Sequence, residues 1–209
     1  MMNLFLKAKH WQLFTLMVGL PVGVYIYFVI NLVGLITAQQ QMGNDIAPES
    51  IIAAMKPLFL FMIIPILVMI GWLYSLGKGV QKFIKPELKL KTTFFTITAL
   101  FPLFYFVGVM FLMFSIMDKA SQDLDFEPAI GMVAIIPLNL ISMGCMFYNM
   151  YFIARSVKTA ELQRDVKFGD YVGEFFLLWF YFIGVWIIQP KVNQMDEPVL
   201  GDLMNELHD

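Results

Sequence analysis

One cysteine, Cys145, is all that a chain of 209 residues carries. An intramolecular disulfide is therefore excluded, and so are the multi-cysteine zinc and iron–sulfur patterns. Histidine is almost as scarce, with His10 and His208 at opposite ends of the chain. No Ser–His pair, HExxH helix, P-loop or GxGxxG turn is present, so the usual motif-borne chemistries are missing. No apolar segment holds two carboxylates, which excludes an aspartyl-type intramembrane protease. Charge as a whole is sparse: 14% of residues, against about 25% in soluble domains. The sequence predicts no catalytic residue, no metal ligand set and no cofactor, and the expectation is a protein that is not an enzyme. Mixed charges at Arg155, Glu161, Arg164, Asp165 and Asp170 are the one group an enzyme could recruit, and such a stretch reads first as a solvated face.

What fills the chain instead is apolar. Hydrophobic residues make up 59% of it. Four runs, 11–36, 57–76, 92–117 and 129–154, contain no Asp, Glu, Lys or Arg. An uncharged run of about 20 residues is long enough, at ~1.5 Å per residue, to cross a hydrocarbon core of ~30 Å as a helix. A fifth apolar segment, 171–188, has only 18 residues and begins with Glu174 near its start. It reads as a fifth span or, alternatively, as a re-entrant or interface-lying helix. The expected fold is thus an all-α, polytopic membrane helical bundle of five transmembrane helices. It forms one membrane-embedded domain over 1–188, followed by an acidic amphipathic tail over 189–209. In that tail Val199, Leu200, Leu203, Met204 and Leu207 recur at helical spacing opposite Asp202 and Glu206. The first run is too long for a signal-peptide core and no small-residue cleavage site follows it, so it is expected to be retained.

Basic residues divide between alternate connections. Eleven lie on one side: Lys7 and Lys9; Lys78, Lys82, Lys85, Lys89 and Lys91; Arg155, Lys158, Arg164 and Lys167. Three lie on the other: Lys56, Lys119 and Lys191. Under the positive-inside rule this places the N-terminus in the cytoplasm and the protein in the cytoplasmic (inner) membrane as a multi-pass chain. The loop 78–91 interleaves its lysines with Val80, Phe83, Ile84, Leu88 and Leu90. That pattern suits an anionic lipid surface better than nucleic acid, which is not expected as a partner. Gly43-Asn44-Asp45 supplies turn chemistry, Pro128 suits a first helical turn, and Gln189-Pro190 is expected to stop the fifth segment.

Each of the first four runs has a proline well inside it: Pro21, Pro65, Pro102 and Pro137. Proline removes a backbone donor and crowds the carbonyl one turn back, so each helix is expected to kink near mid-membrane. Kinks at one depth would line a shared cavity, or simply reflect how common proline is in membrane helices. Asn31, Asn139, Ser142 and Asn149 are the main polar groups in the runs. The last three share a helical face, as a solute path or as glue between helices. Glu174 sits in a first turn, where it is expected to reach water or pair with Lys167 or Arg164. Met143, Met146 and Met150 share another face, and packing is the first reading of such softness.

The stretch Lys7-Ala8-Lys9-His10-Trp11-Gln12-Leu13-Phe14 and the stretch from Phe152-Ile153-Ala154-Arg155-Ser156 through Glu174-Phe175-Phe176 to Trp186-Ile187-Ile188-Gln189-Pro190-Lys191 resemble a family of small multi-span bacterial membrane proteins with no assigned activity. The resemblance covers about a quarter of the chain and implies a bacterial membrane setting, with no catalytic or binding residue. The functional expectation is a non-enzymatic integral membrane protein, a subunit or accessory component of a membrane complex with other subunits or copies of itself as partners. The alternative is a small channel or transporter whose cavity is lined from Pro21, Asn31, Pro65, Pro102, Pro137, Asn139, Asn149 and Glu174.

Overall fold

The computed structural model describes residues 2–41, 48–120 and 131–206, and every regular element among them is helical. The expected turn at Gly43-Asn44-Asp45, the Pro128 helix start and His208 lie outside the described residues, and the apolar face of the tail lies outside the described side chains. Two short helices, α1 (Met2–Lys7) and α2 (His10–Phe14), precede a π turn, Thr15–Gly19, and α3 (Leu20–Gln41). Then come α4 (Pro48–Gly79), α5 (Thr93–Ala120) and α6 (Gly131–Leu162). The chain closes with α7 (Phe168–Trp179) and α8 (Tyr181–Glu206). Among the described residues, four helical stretches are long and apolar enough to cross a membrane: His10–Gln41, Ala53–Phe83, Thr93–Met117 and Ile135–Leu162. They match the four uncharged runs, because a backbone surrounded by lipid must satisfy its own hydrogen bonds and the helix does so within one segment.

The helical path is unbroken through Pro65, Pro102 and Pro137. At Pro21 the adjustment is visible. The π turn just before it, in which Leu20 N–H donates to the Thr15 carbonyl, widens the backbone and makes room for a ring that would otherwise strike the preceding turn. Beyond 154, α6 continues to Leu162. Gln163 then adopts φ 51° and its N–H donates to the Thr159 carbonyl, a left-handed C-terminal stop in a residue other than glycine. Its side-chain amide donates to the Phe83 carbonyl at 2.7 Å and its oxygen accepts from Lys85 N–H. That one side chain ties the end of α6 to the loop after α4.

The fifth apolar segment is two helices. The backbone breaks at Phe180, with φ −91° and ψ 59°, and α8 folds back along α7 until Lys191 reaches Glu174 at 3.1 Å. A straight helix would hold those residues about 25 Å apart. Gly184 makes the turn feasible, since a Cβ there would fall on the Leu177 carbonyl. The helix does not stop at Gln189-Pro190, as the sequence suggested, but runs through both to Glu206.

The core gathers at one end of the bundle, here called basal, where the C-terminal ends of α4 and α6 meet α1, α2, α7, α8 and the start of α5. Trp72, Leu76, Phe95, Ile153, Val157, Leu178, Val185 and Ile188 are buried there. Phe95 stacks on Phe152 at 4.6 Å, in space left by the missing side chain of Gly77. Towards the other, outer end burial becomes sparse. No residue of α3 is buried, and Tyr27, Leu60, Phe104, Phe111 and Ile136 are exposed, as apolar surface facing lipid would be.

Candidate functional site

At the basal end, α6, α7 and α8 each contribute to a closed ring of four alternating charges. Lys158 Nζ lies 3.0 Å from Glu161 Oε2 and 3.4 Å from Glu174 Oε1. Lys191 Nζ lies 3.1 Å from the same Glu174 oxygen and 3.6 Å from the same Glu161 oxygen. The ring is neutral as a whole. Glu174 is its innermost member, 6% exposed, while Lys191 and Glu161 keep about a third of their side chains accessible.

Burial pushes the Glu174 carboxyl up, but the Lys191 hydrogen bond, a backbone bond and the charges of Lys191 and Lys158 outweigh it. The net result is a value below the ordinary carboxylate range. An ionised carboxylate between two ammonium groups is a clamp and not a proton carrier at neutral pH. The expected partners Lys167 and Arg164 are not the ones used. Arg164 instead pairs with Asp170 at 3.1 Å, and Lys167 begins α7 with its N–H donating to Asp170 Oδ2 at 2.9 Å. The Arg164 hydrogen bond, with the Lys167 backbone bond behind it, holds the Asp170 carboxyl low. Arg155 pairs with Asp165 at 3.1 Å. The charged residues of the 155–170 stretch thus pair largely with one another.

Beside the ring, Gln189 is fully buried and saturated. Its Oε1 accepts from Trp72 Nε1 at 2.8 Å. Its Nε2 faces the carbonyls of Phe5, Leu6 and Ala8 at 2.9–3.0 Å and Asn193 Oδ1 at 3.1 Å. The last carbonyls of α1 have no partner within so short a helix, and the amide from α8 supplies one. Gln81 does the same between α4 and α6: its Nε2 donates to Ser156 Oγ at 2.8 Å and its Oε1 accepts from Leu90 N–H at 3.0 Å. Neither glutamine stands out in the sequence. A glutamine amid uncharged aromatic and aliphatic residues, as in Trp186-Ile187-Ile188-Gln189, is the signal that could have marked the first.

The sequence-predicted residues do not converge on one place. Pro65 and Pro102 are buried, Pro21 is half-buried and Pro137 is exposed. Asn31 donates to the Tyr27 carbonyl of its own helix at 2.7 Å and lines a cleft of about 710 Å³ between α3 and α4, together with Phe28, Gly34, Ala54, Pro57 and Phe61. Asn149 is buried in a reciprocal pair: Thr98 Oγ1 donates to Asn149 Oδ1 at 2.7 Å, and Asn149 Nδ2 donates to the Thr98 carbonyl at 3.0 Å. Asn139, on the same face of α6 by spacing, is exposed. Met143, Met146 and Met150 meet Phe147 and Trp179 around a cavity of about 190 Å³. No group of three or more His, Cys, Asp or Glu able to hold a metal ion occurs among the described residues. Comparison of the chain with protein-family models, with curated proteins and with solved structures finds no match.

Proposed function

We propose that this is a non-enzymatic component of a bacterial cytoplasmic membrane complex, with its N-terminus and basal end in the cytoplasm. Four helices cross the bilayer, and the α7–α8 hairpin enters from the cytoplasmic side and leaves by the same side. The observation that carries this reading is the meeting of Lys191 with Glu174, Lys158 and Glu161. It returns the chain to the end where α6 finishes. It also moves Lys191 to the basic side, leaving only Lys56 and Lys119 opposite, so charge asymmetry and geometry agree. A 12-residue α7 spans about 18 Å, roughly half the hydrocarbon thickness. Its tip carries Trp179, Phe180 and Phe182, all exposed.

The subunit role is supported by how the polar groups are spent. Asn149, Gln81, Gln189 and Glu174 are all engaged in holding helices together, while the outer halves of α3, α5 and α6 present uncommitted apolar faces to lipid or to other helices. The channel or transporter alternative rests on one feature, the α3–α4 cleft with Asn31 on its wall; the prolines then act as kinks that open it.

Labelling of single cysteines tests the arrangement. In a Cys145→Ser background, Gln40→Cys, Phe168→Cys and Gln194→Cys are each exposed positions. An impermeant thiol reagent on intact cells is expected to modify the first alone. Labelling of Gln194→Cys with Phe168→Cys protected would mean that 171–188 crosses the membrane and would discard the hairpin. For the role, flux through protein in liposomes is expected to be nil; an ion or solute flux lost in Asn31→Leu would replace the subunit reading by the channel.

A further inference from the structure

A second cleft lies at the basal end, outside the charge ring, where α1 bends into α2. Its volume is about 790 Å³, and its walls include Phe5, Lys7, Trp11, Gln12 and Leu16. These residues are graded in polarity along the chain. Lys7 closes α1 and is exposed, with Lys9 exposed two residues on. Trp11 follows in the first turn of the first span at 51% exposure, and Leu16 follows at 40% one and a half turns deeper. The floor is fixed: the Phe5 ring sits 2.8 Å from where a Cβ of Gly71 would be, wedged against α4, and the carbonyls of residues 5, 6 and 8 are held by Gln189. No Asp or Glu occurs before Asp45, so the potential at the cleft mouth is positive and uncancelled by its own segment.

We infer that this cleft seats one anionic phospholipid of the cytoplasmic leaflet, its phosphate at Lys7 and Lys9, its glycerol region at Trp11 and an acyl chain along Leu16. The charge complementarity decides the occupant. A neutral lipid would fit the apolar wall but would leave two lysines facing its headgroup without gain, and a free phosphate would leave the wall empty. Lysines close to a membrane surface favour anionic lipid, and tryptophan prefers the headgroup depth between them and the chains. The inference rests on the basal end being the cytoplasmic one.

Collisional quenching tests it in the full-length protein. Trp179→Phe and Trp186→Phe leave Trp11 as the accessible indole and Trp72, fully buried, as an internal control. The protein is reconstituted in phosphatidylcholine vesicles containing a small fraction of chain-brominated phosphatidylglycerol or chain-brominated phosphatidylcholine. Brominated phosphatidylglycerol is expected to quench Trp11 at a mole fraction about fivefold or more lower than brominated phosphatidylcholine, the factor one well-placed lysine supplies. Lys7→Gln with Lys9→Gln should equalise the two lipids, Lys7→Arg should keep the preference, and Lys85→Gln with Lys89→Gln, in the loop after α4 and outside the cleft walls, should leave it intact. Equal quenching by both lipids in the parent, or a preference that follows the loop lysines instead, overturns the cleft as a lipid site. Failure of the orientation reading would show separately, as inverted cysteine labelling.

Discussion

The two ends of α6 are built from similar residues and live differently. From Phe152 to Ala160 the helix buries Phe152, Ile153, Ala154, Ser156, Val157 and Thr159. From Ile136 to Met143 it exposes Ile136, Leu138, Leu140, Ile141 and Met143. Polar groups divide less cleanly: Asn149 is locked to Thr98, Asn139, about 15 Å away along the axis, is exposed, and Ser142 between them is buried. The difference teaches where the fold is specified. Between membrane helices, lipid tails compete on equal terms with apolar side chains, so direct packing and hydrogen bonds decide association. Both are concentrated at the basal end, which has the small-residue approaches at Gly77 and Gly184 and the amides of Gln81 and Gln189. The outer end has length and hydrophobicity, which are enough to span and not enough to fix neighbours.

The comparison would break most sharply at the hairpin. Gly184→Ala places a methyl group against the Leu177 carbonyl, and neither backbone has room to yield. A loss of about 3 kcal/mol is expected, read as a large drop in Tm of the purified protein; Gly34→Ala, with open space around it, is expected to leave Tm unchanged. Equal effects would mean the basal end is no better specified than the outer one.

Next in size is Gln189→Leu. It strands the Trp72 N–H and the Leu6 carbonyl in a buried place and leaves the Phe5 and Ala8 carbonyls one long bond each, from Ala8 N–H at 3.3 Å and Asn193 Nδ2 at 3.4 Å. A cost of about 2–3 kcal/mol is expected, since orphaned buried groups bear their full desolvation penalty, with the N-terminal segment becoming the first site of limited proteolysis.

Glu174→Gln follows. The sequence alone suggested a first-turn carboxylate that reaches water or pairs with Lys167 or Arg164. The buried clamp changes that expectation to a loss of about 1–2 kcal/mol, because Lys158 and Lys191 would then share only Glu161 as counter-charge. The loss is placed below the range for deeply buried pairs because a third of Lys191 is accessible. The pH dependence has a definite sign. The folded carboxyl titrates below its unfolded value, so its contribution is complete above about pH 4.3 and is lost as pH falls through the lower, folded value. Unfolding midpoints measured between pH 7 and pH 3 should fall more steeply for the parent than for Glu174→Gln. Parallel curves would remove Glu174 from the account of acid stability.

The smallest expected effect is the most direct test of the division within α6. Asn149→Ala should cost about 0.6 kcal/mol, the mean for hydrogen bonds between membrane helices, and Asn139→Ala should cost nothing measurable by the same unfolding assay.

Much of this architecture was legible in the residues. Runs without charge located the four membrane-length helices among the described residues to within a turn or two at the described ends. What was not legible depended on tertiary pairing. The break at Phe180 has neither glycine nor proline at the turn itself; the enabling glycine is four residues later, and its role is a contact across the hairpin. Lys191 follows an apolar segment, and nothing local to it signals that it meets Glu174, seventeen residues back. Gln189-Pro190 looked like a stop signal because proline is disfavoured within a helix, whereas a buried amide with every group satisfied overrides propensity. Helical spacing assigned Asn139 and Asn149 to one face and could not show that the first is exposed and the second buried.

The amide of Gln189 also imposes a timetable. It holds carbonyls that precede it by 181 to 184 residues, so α1 is incomplete while the ribosome works through the whole of the bundle. At about 5–20 residues per second, that interval is roughly 10–40 s, during which α1 has no partner from its own C-terminal part. α1 is made long before this contact can secure it, and a chain released before residue 189 leaves α1 without its cap.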